Sequence, residues 1–98
     1  MIGVRIGRAA EQDLLDGFAF YEAQQAGLGT HFLDAPVADI DALQLFAGIH
    51  AKPVGRFHRG LAKRFPFAIY YDFDGQIATV VAVLDCRQDP KSIKDRLA

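Results

Sequence analysis

The densest chemistry in this chain is cationic. Between Lys52 and Arg64 stand Lys52, Arg56, Arg59, Lys63 and Arg64, with His58 among them and no acid. Such a run suits an acidic partner or a phosphate backbone. It equally suits a solvated edge strand, where Lys and Arg keep one sheet from pairing with another. A second group, Asp85, Cys86, Arg87 and Asp89, follows the last apolar run. Arg64 and Arg87 have two readings, contact with a phosphate or simple ion pairs with Asp85 and Asp89. Tyr70 and Tyr71 read as sheet packing before they read as acids. His31, His50 and His58 lack metal-ligand spacing and read as surface histidines. The single Cys86 has no cysteine partner and reads as a buried, inert thiol in reducing cytoplasm. No Gly-rich phosphate loop, no nucleophile beside a base and no metal or cofactor motif is found.

The stretch that must position these groups is apolar and β-rich. Phe65 to Tyr71 and Ile77 to Leu84 flank Asp74-Gly75, which predicts a hairpin with a type I′ turn, because that turn needs positive φ at both central residues. Two loop residues pair Phe73 with Gln76, Tyr71 with Ala78, Ile69 with Val80 and Phe67 with Ala82. This register places Phe67, Ile69, Tyr71, Ala78, Val80, Ala82 and Leu84 on one face, the expected core. The other face, with Tyr70 and Asp85 together, is expected to be partly wet, and chemistry is sought at its Asp85 end.

The remaining elements follow from periodicity. Ile2 to Ile6 alternates as a short strand. Ala9 to Ala26 has Leu14, Phe18, Tyr21 and Gln25 on one helical face, widened by Leu15, with Gly17 costing up to ~1 kcal/mol inside it; Gly27 is its expected stop. A second helix from Gly29 or Thr30 to Phe46 carries Phe32, Leu33, Pro36, Val37, Ile40, Leu43 and Ala47 on one stripe, with a kink or restart expected at Pro36. The short link makes an antiparallel helical hairpin. Val54 to Leu61 alternates as a strand with Phe57 and Leu61 inward, and Pro90 opens a last helix to Leu97. The expected architecture is α+β: one domain over 1–98, a mostly antiparallel sheet of about four strands, the helical hairpin on one face and a short C-terminal helix, in the order β-α-α-β-β-β-α.

Composition sets outer bounds. Of the 98 residues 51% are apolar, enough for one core without metal or disulfide. No window approaches the roughly 18 to 20 uninterrupted apolar residues of a membrane span, and the start lacks a secretory h-region, so a cytoplasmic protein is expected. The net charge of −1 hides an asymmetry: residues 1–49 hold two basic and seven acidic residues, residues 50–98 nine and five.

Several of these residues together resemble a known family. Tyr21-Glu22, Gly27-Leu28-Gly29, Phe32-Leu33, Arg64-Phe65-Pro66-Phe67 with Ile69-Tyr70-Tyr71, and Ala82-Val83-Leu84 leading into Arg87-Gln88-Asp89-Pro90 are similar to the RelE/ParE superfamily of bacterial toxins. The resemblance spans nearly the whole chain, and its most specific part is the Arg-Phe-Pro-aromatic run with the downstream Arg-x-Asp-Pro. It implies the toxin of a type II toxin–antitoxin or plasmid-stabilisation module, a growth inhibitor neutralised by a cognate antitoxin. Some members poison DNA gyrase; others cut mRNA on the ribosome.

The resemblance also assigns candidate roles. In a ribosome-dependent endonuclease Arg64 and Arg87 supply charge to the phosphate, while Asp85 and Tyr70 are the candidates for proton transfer. Many members read Leu-His-x-Arg-Arg-Asp-Pro where this chain reads Leu84-Asp85-Cys86-Arg87-Gln88-Asp89-Pro90. An Asp in place of that His is a poor proton donor at neutral pH. The favoured expectation is therefore a ParE-like, non-catalytic inhibitor of a protein target, expected to be DNA gyrase, with Lys52, Arg56, Arg59 and Lys63 contacting antitoxin or target. A RelE-like endonuclease acting with ribosome and mRNA is the alternative, and an inactive toxin-fold binding module is the third.

Overall fold

Two alternating apolar runs build the centre of the sheet, and the other elements are arranged around them. The computed structural model describes residues 1–98. In chain order it contains β1 (Gly3–Ile6), α1 (Arg8–Gln24), α2 (Leu28–Phe46), β2 (His58–Leu61), β3 (Phe67–Phe73), β4 (Ile77–Asp85) and α3 (Pro90–Leu97). The sheet order is β1-β4-β3-β2; β1 runs parallel to β4, and the other two pairs are antiparallel. The α+β class and element order are those expected from the sequence.

The hairpin register differs from expectation in two steps. Phe73 pairs with Ala78 and Tyr71 with Val80, so Asp74, Gly75 and Gln76 connect the strands in place of two loop residues. Asp74 is the cause: its Oδ1 accepts from the N–H groups of Gln76 (2.8 Å) and Ile77 (2.7 Å), closing the turn through its side chain. Only Gly75 there has positive φ, +96°, so the type I′ turn does not form. A two-residue slip preserves the faces. A bulge does not: past Tyr71 the register shifts, and Tyr70 pairs with Ala82, Ile69 with Val83 and Phe67 with Asp85.

The extra β4 residue swaps every later side chain to the opposite face. Val83, expected on the far face, joins Phe67, Ile69, Tyr71, Ala78 and Val80 against the helical hairpin. Ala82 and Leu84, expected in that core, instead pack with Ala68, Tyr70 and Ile93 in a second cluster. The second face is consequently dry beneath α3, while toward the turn, at the half-buried Asp72 and Thr79, it is partly wet as expected. Its cover is α3, whose Ile93 is 9% exposed, with Asp89 capping the helix by accepting from Lys91 N–H (3.2 Å).

The helical hairpin is closed by specific contacts. Gly17 leaves room for Phe32; a Cβ there would lie 2.6 Å from the Phe32 ring, so this glycine's helix penalty is offset by packing. Phe32 stacks on Tyr21 (4.8 Å) and meets Phe65 and Phe67 edge-on. The Glu22 carboxylate accepts from Gly27 N–H (3.0 Å) and Gly29 N–H (2.9 Å), satisfying donors at the start of α2. Gly27 is the left-handed residue of that link, while α1 ends earlier, at Gln24, with Gln25 as its extended cap. Helix α2 runs unbroken through Pro36 without restarting. Leu15, expected to face inward, is 61% exposed, and Val37 of the expected α2 stripe is 44% exposed.

β2 is shorter than expected, and its phase is inverted. Val54 and Phe57 close a tight turn (Phe57 N–H to Val54 O, 3.2 Å), which restarts the alternation at His58. His58 is buried, while Leu61, expected inward, is 61% exposed.

Val80 is fully buried between the sheet and the helices. Val80→Asp is expected to cost about 3 kcal/mol or more, since it buries an unpaired charge; urea unfolding measures it.

Candidate functional site

The bulge determines what gathers at the C-terminal end of β4. Asp85 now lies on the hairpin-facing side of the sheet, whereas Tyr70 is 2% exposed under α3. The two candidates for proton transfer are therefore on opposite faces, contrary to the expected pairing. Asp85 is engaged instead by Arg87, whose Nη2 donates at 2.7 Å and Nε at 3.0 Å while its backbone N–H donates at 2.8 Å. These bonds hold the Asp85 carboxyl below the usual carboxylate range, which makes it a weak base and no acid near neutrality. Arg64 is exposed in the loop before Pro66. That loop is tied to the same turn, because Cys86 N–H donates to Pro66 O (2.8 Å). Cys86 itself is exposed, not buried as expected; partial burial and then the Asp85 charge push its thiol up, so it is inert as a thiolate nucleophile.

Beside this turn lies a cleft of about 500 Å³ between α1, the Pro66 loop and the end of β4. Its charged lining is Asp13, Asp16, Asp85 and Arg96. Arg96 already donates to both Asp13 oxygens (2.8 and 2.7 Å), and this pairing raises the guanidinium pKa. Asp13 has a second function. β1 ends at Ile6, Gly7 N–H continues the edge by donating to Val80 O (2.8 Å), and farther along Val83 N–H donates to Asp13 Oδ2 (2.9 Å). Asp13 thus completes the open edge of β4 and anchors α3.

The basic stretch does not form one patch. Arg56 pairs with Asp72 at 3.5 Å and lies over the Phe57 ring. Arg59 is half-buried opposite Tyr70, on the α3 side of the sheet. Lys63 lies near Asp39 of α2, lowering that carboxyl's pKa against the larger upward effect of burial. Lys52 is exposed in the preceding loop. These residues fringe β2, which is an edge strand.

Sequence reasoning missed a cluster at the opposite end of the sheet. Tyr71, fully buried, accepts from Gly48 N–H (3.0 Å) and hydrogen-bonds His50 Nδ1 (2.5 Å). His58 stacks on the Tyr71 ring (4.9 Å, 17°), and its Nδ1 donates to His50 O (2.6 Å). Neither of these two is the free surface histidine expected; His31 is exposed. The available signal was Gly55: reading it as a turn resets the strand phase and turns His58 inward toward Tyr71.

Among solved structures, a chain of the chromosomal ParDE TA system from P. aeruginosa superposes with a TM-score of 0.77 at 18% identity. The match covers 85% of this chain and 94% of that one. The chain has a ParE-like fold. Its sequence matches no family model and no curated protein, and no helix is long and apolar enough to cross a membrane.

On this ParE-like fold, the Asp13–Arg96 pair joins the N-terminal helix to the C-terminal one. Asp13 is the partner whose loss is felt, because Val83 N–H is left without an acceptor. Asp13→Ala is expected to destabilise by about 1–3 kcal/mol and to speed amide exchange across α3. Denaturant melts and hydrogen exchange check both effects.

Proposed function

We propose that this chain is the toxin of a type II toxin–antitoxin module, acting in the cytoplasm on a protein target, DNA gyrase, without catalysis of its own, and neutralised by a cognate antitoxin. The observation that carries this reading is the fold shared with a chain of the ParDE TA system over most of both lengths. The end of β4 supports the non-catalytic choice. Its carboxylate is locked to Arg87, Tyr70 is buried on the other face, and the adjacent cleft is predominantly acidic. For phosphodiester cleavage at that place neither Asp85 nor Tyr70 serves as a proton donor, and Tyr21 is the one residue of the cleft lining that carries a hydroxyl.

For the antitoxin, the reading rests on the β2 edge and its fringe of Lys52, Arg56, Arg59 and Lys63. An acidic segment that orders on binding suits such an edge, because positive charge lies along a strand that has a sheet neighbour on only one side. Arg56→Glu with Arg59→Glu is expected to slow association with the antitoxin encoded beside this gene and to flatten its salt dependence. Unchanged binding at low salt assigns these residues another purpose.

The class is tested by expression, with growth arrest expected and rescue by the neighbouring gene product. The target is tested by a gyrase supercoiling assay run beside purified translation with mapped mRNA ends. Inhibited supercoiling with intact mRNA is the expected result. Codon-positioned cuts that vanish in Arg64→Ala and Asp85→Ala proteins overturn the non-catalytic reading in favour of a ribosome-dependent endonuclease.

A further inference from the structure

The connection from α2 to β2 is held down mainly by aromatic side chains. Gly48 N–H donates to the Tyr71 hydroxyl, His50 Nδ1 bonds the same hydroxyl, and His50 O accepts from His58 Nδ1. One backbone bond, Arg59 N–H to Ala51 O (2.9 Å), continues the contact. The His50 ring lies over Gly60, with Nε2 3.4 Å from where a Cβ would stand. Alongside runs a groove of about 320 Å³ between α2 and β2. Its rim includes Phe46, Ile49 and Leu61, which are 51%, 72% and 61% exposed.

We propose that Tyr71, His50 and His58 form a proton-sensitive latch fixing the Gly48–Ala51 segment against β2 and β3, so that mild acid frees the segment and opens the α2–β2 groove. The proposal is independent of the toxin reading, because the latch belongs to the chain alone.

Proton counting carries the argument. The Tyr71 hydroxyl has one proton and already accepts from Gly48 N–H. Its only hydrogen-bond partners are Gly48 N–H and His50 Nδ1, so the buried hydroxyl proton finds an acceptor only when Nδ1 is unprotonated and the imidazole proton is on Nε2. Protonating His50 places a hydrogen on both sides of that contact. Either the bond breaks or the hydroxyl turns its proton into a fully buried site without an acceptor. His58 cannot relieve this, since its Nδ1 is committed to His50 O.

The surrounding charges act in both directions. Burial pushes the His50 pKa down, His58 of β2 lowers it further, and Asp39 of α2 opposes them. Lys63, after β2, and Tyr71 of β3 complete the ionisable groups around the cluster. Asp39 is itself pushed up by burial. Because the folded His50 lies below its ordinary value of 6.5, its stabilising contribution is complete above pH 6.5. It declines as pH falls from there toward the folded value. Asp39 has the opposite sign: its folded pKa lies above 3.8, so its protonation at lower pH relieves strain.

Nuclear magnetic resonance on the full labelled chain tests the latch. The His50 ring is expected to titrate below 6.5. Protection of the Gly48 amide, corrected for intrinsic exchange, is expected to fall about tenfold or more between about pH 7.5 and about pH 5.5. His50→Asn offers an oxygen to the Tyr71 proton and does not titrate, so its Gly48 protection is expected to be the same at both pH values. In Tyr71→Phe the His50 midpoint moves up toward 6.5 and Gly48 protection is low throughout. A His50 midpoint at or above 6.5, or the same loss of Gly48 protection with pH in His50→Asn, overturns the proposal. If His50→Asn does not fold, the wild-type titration and Tyr71→Phe decide it.

Discussion

One extra residue in β4 organises this molecule. The bulge opposite Tyr70 and Tyr71 divides the central hairpin into two segments of opposite facing. The turn-proximal half presents Ala78 and Val80 to the helical hairpin, and beyond the bulge Val83 takes up the same duty. Without the bulge Ala82 and Leu84 would point there, and α3 would lose its floor of Ala82, Leu84, Ala68 and Tyr70. A single sheet thereby serves two cores. The same half-turn carries Asp85 to the helical side and leaves Tyr70 on the other, so the bulge also separates the residues that catalysis would need together.

The two cores are joined by charge as well as by the sheet. Asp13 of α1 receives Val83 N–H from β4 and the Arg96 guanidinium from α3. Its side chain is only 11% exposed, so these bonds work in a drier setting than the Asp85–Arg87 pair, where the two side chains are 36% and 66% exposed. Exposed pairs are screened by water and salt and contribute little to stability. Arg87 therefore matters at the β4 end mainly for what it does to Asp85, keeping it ionised and occupied.

At the other end of the sheet the dominant polar interaction is uncharged. Tyr71 lies at the centre of a contact in which a backbone amide, a phenol and two imidazoles share few protons. Such networks are strong when every donor has an acceptor and weak when one is surplus. The exposed apolar rim of the α2–β2 groove sits directly beside it, next to the basic fringe of β2. The basic fringe proposed to meet the antitoxin and the polar network thus share one region, and the cleft at the end of β4 forms a separate one.

The periodicity of the apolar residues determined the element order, the helical hairpin, the central β3–β4 pair and the short last helix. These follow from local preference and from the need to bury one stripe per helix, both written in residue spacing. The Arg-Phe-Pro run and the Arg-x-Asp-Pro motif pointed to the ParE-like fold. Tertiary structure alone decided the register and everything that depends on it. The run from Thr79 to Leu84 is apolar on both faces beyond Val80, so neither parity was forbidden by hydrophobicity, and the bulge was free to form where both faces found cover. The turn slipped because Asp74 caps it, its side chain accepting from the Gln76 and Ile77 N–H groups beside the backbone bond from Asp74 N–H to Ile77 O. His58 turned inward because Gly55 restarted the strand's phase, and no spacing rule connects it with Tyr71 and His50, which reach it from another strand and a loop. Residue spacing specifies which side chains a segment can bury; the partners across the fold determine which face is buried and which polar groups meet there.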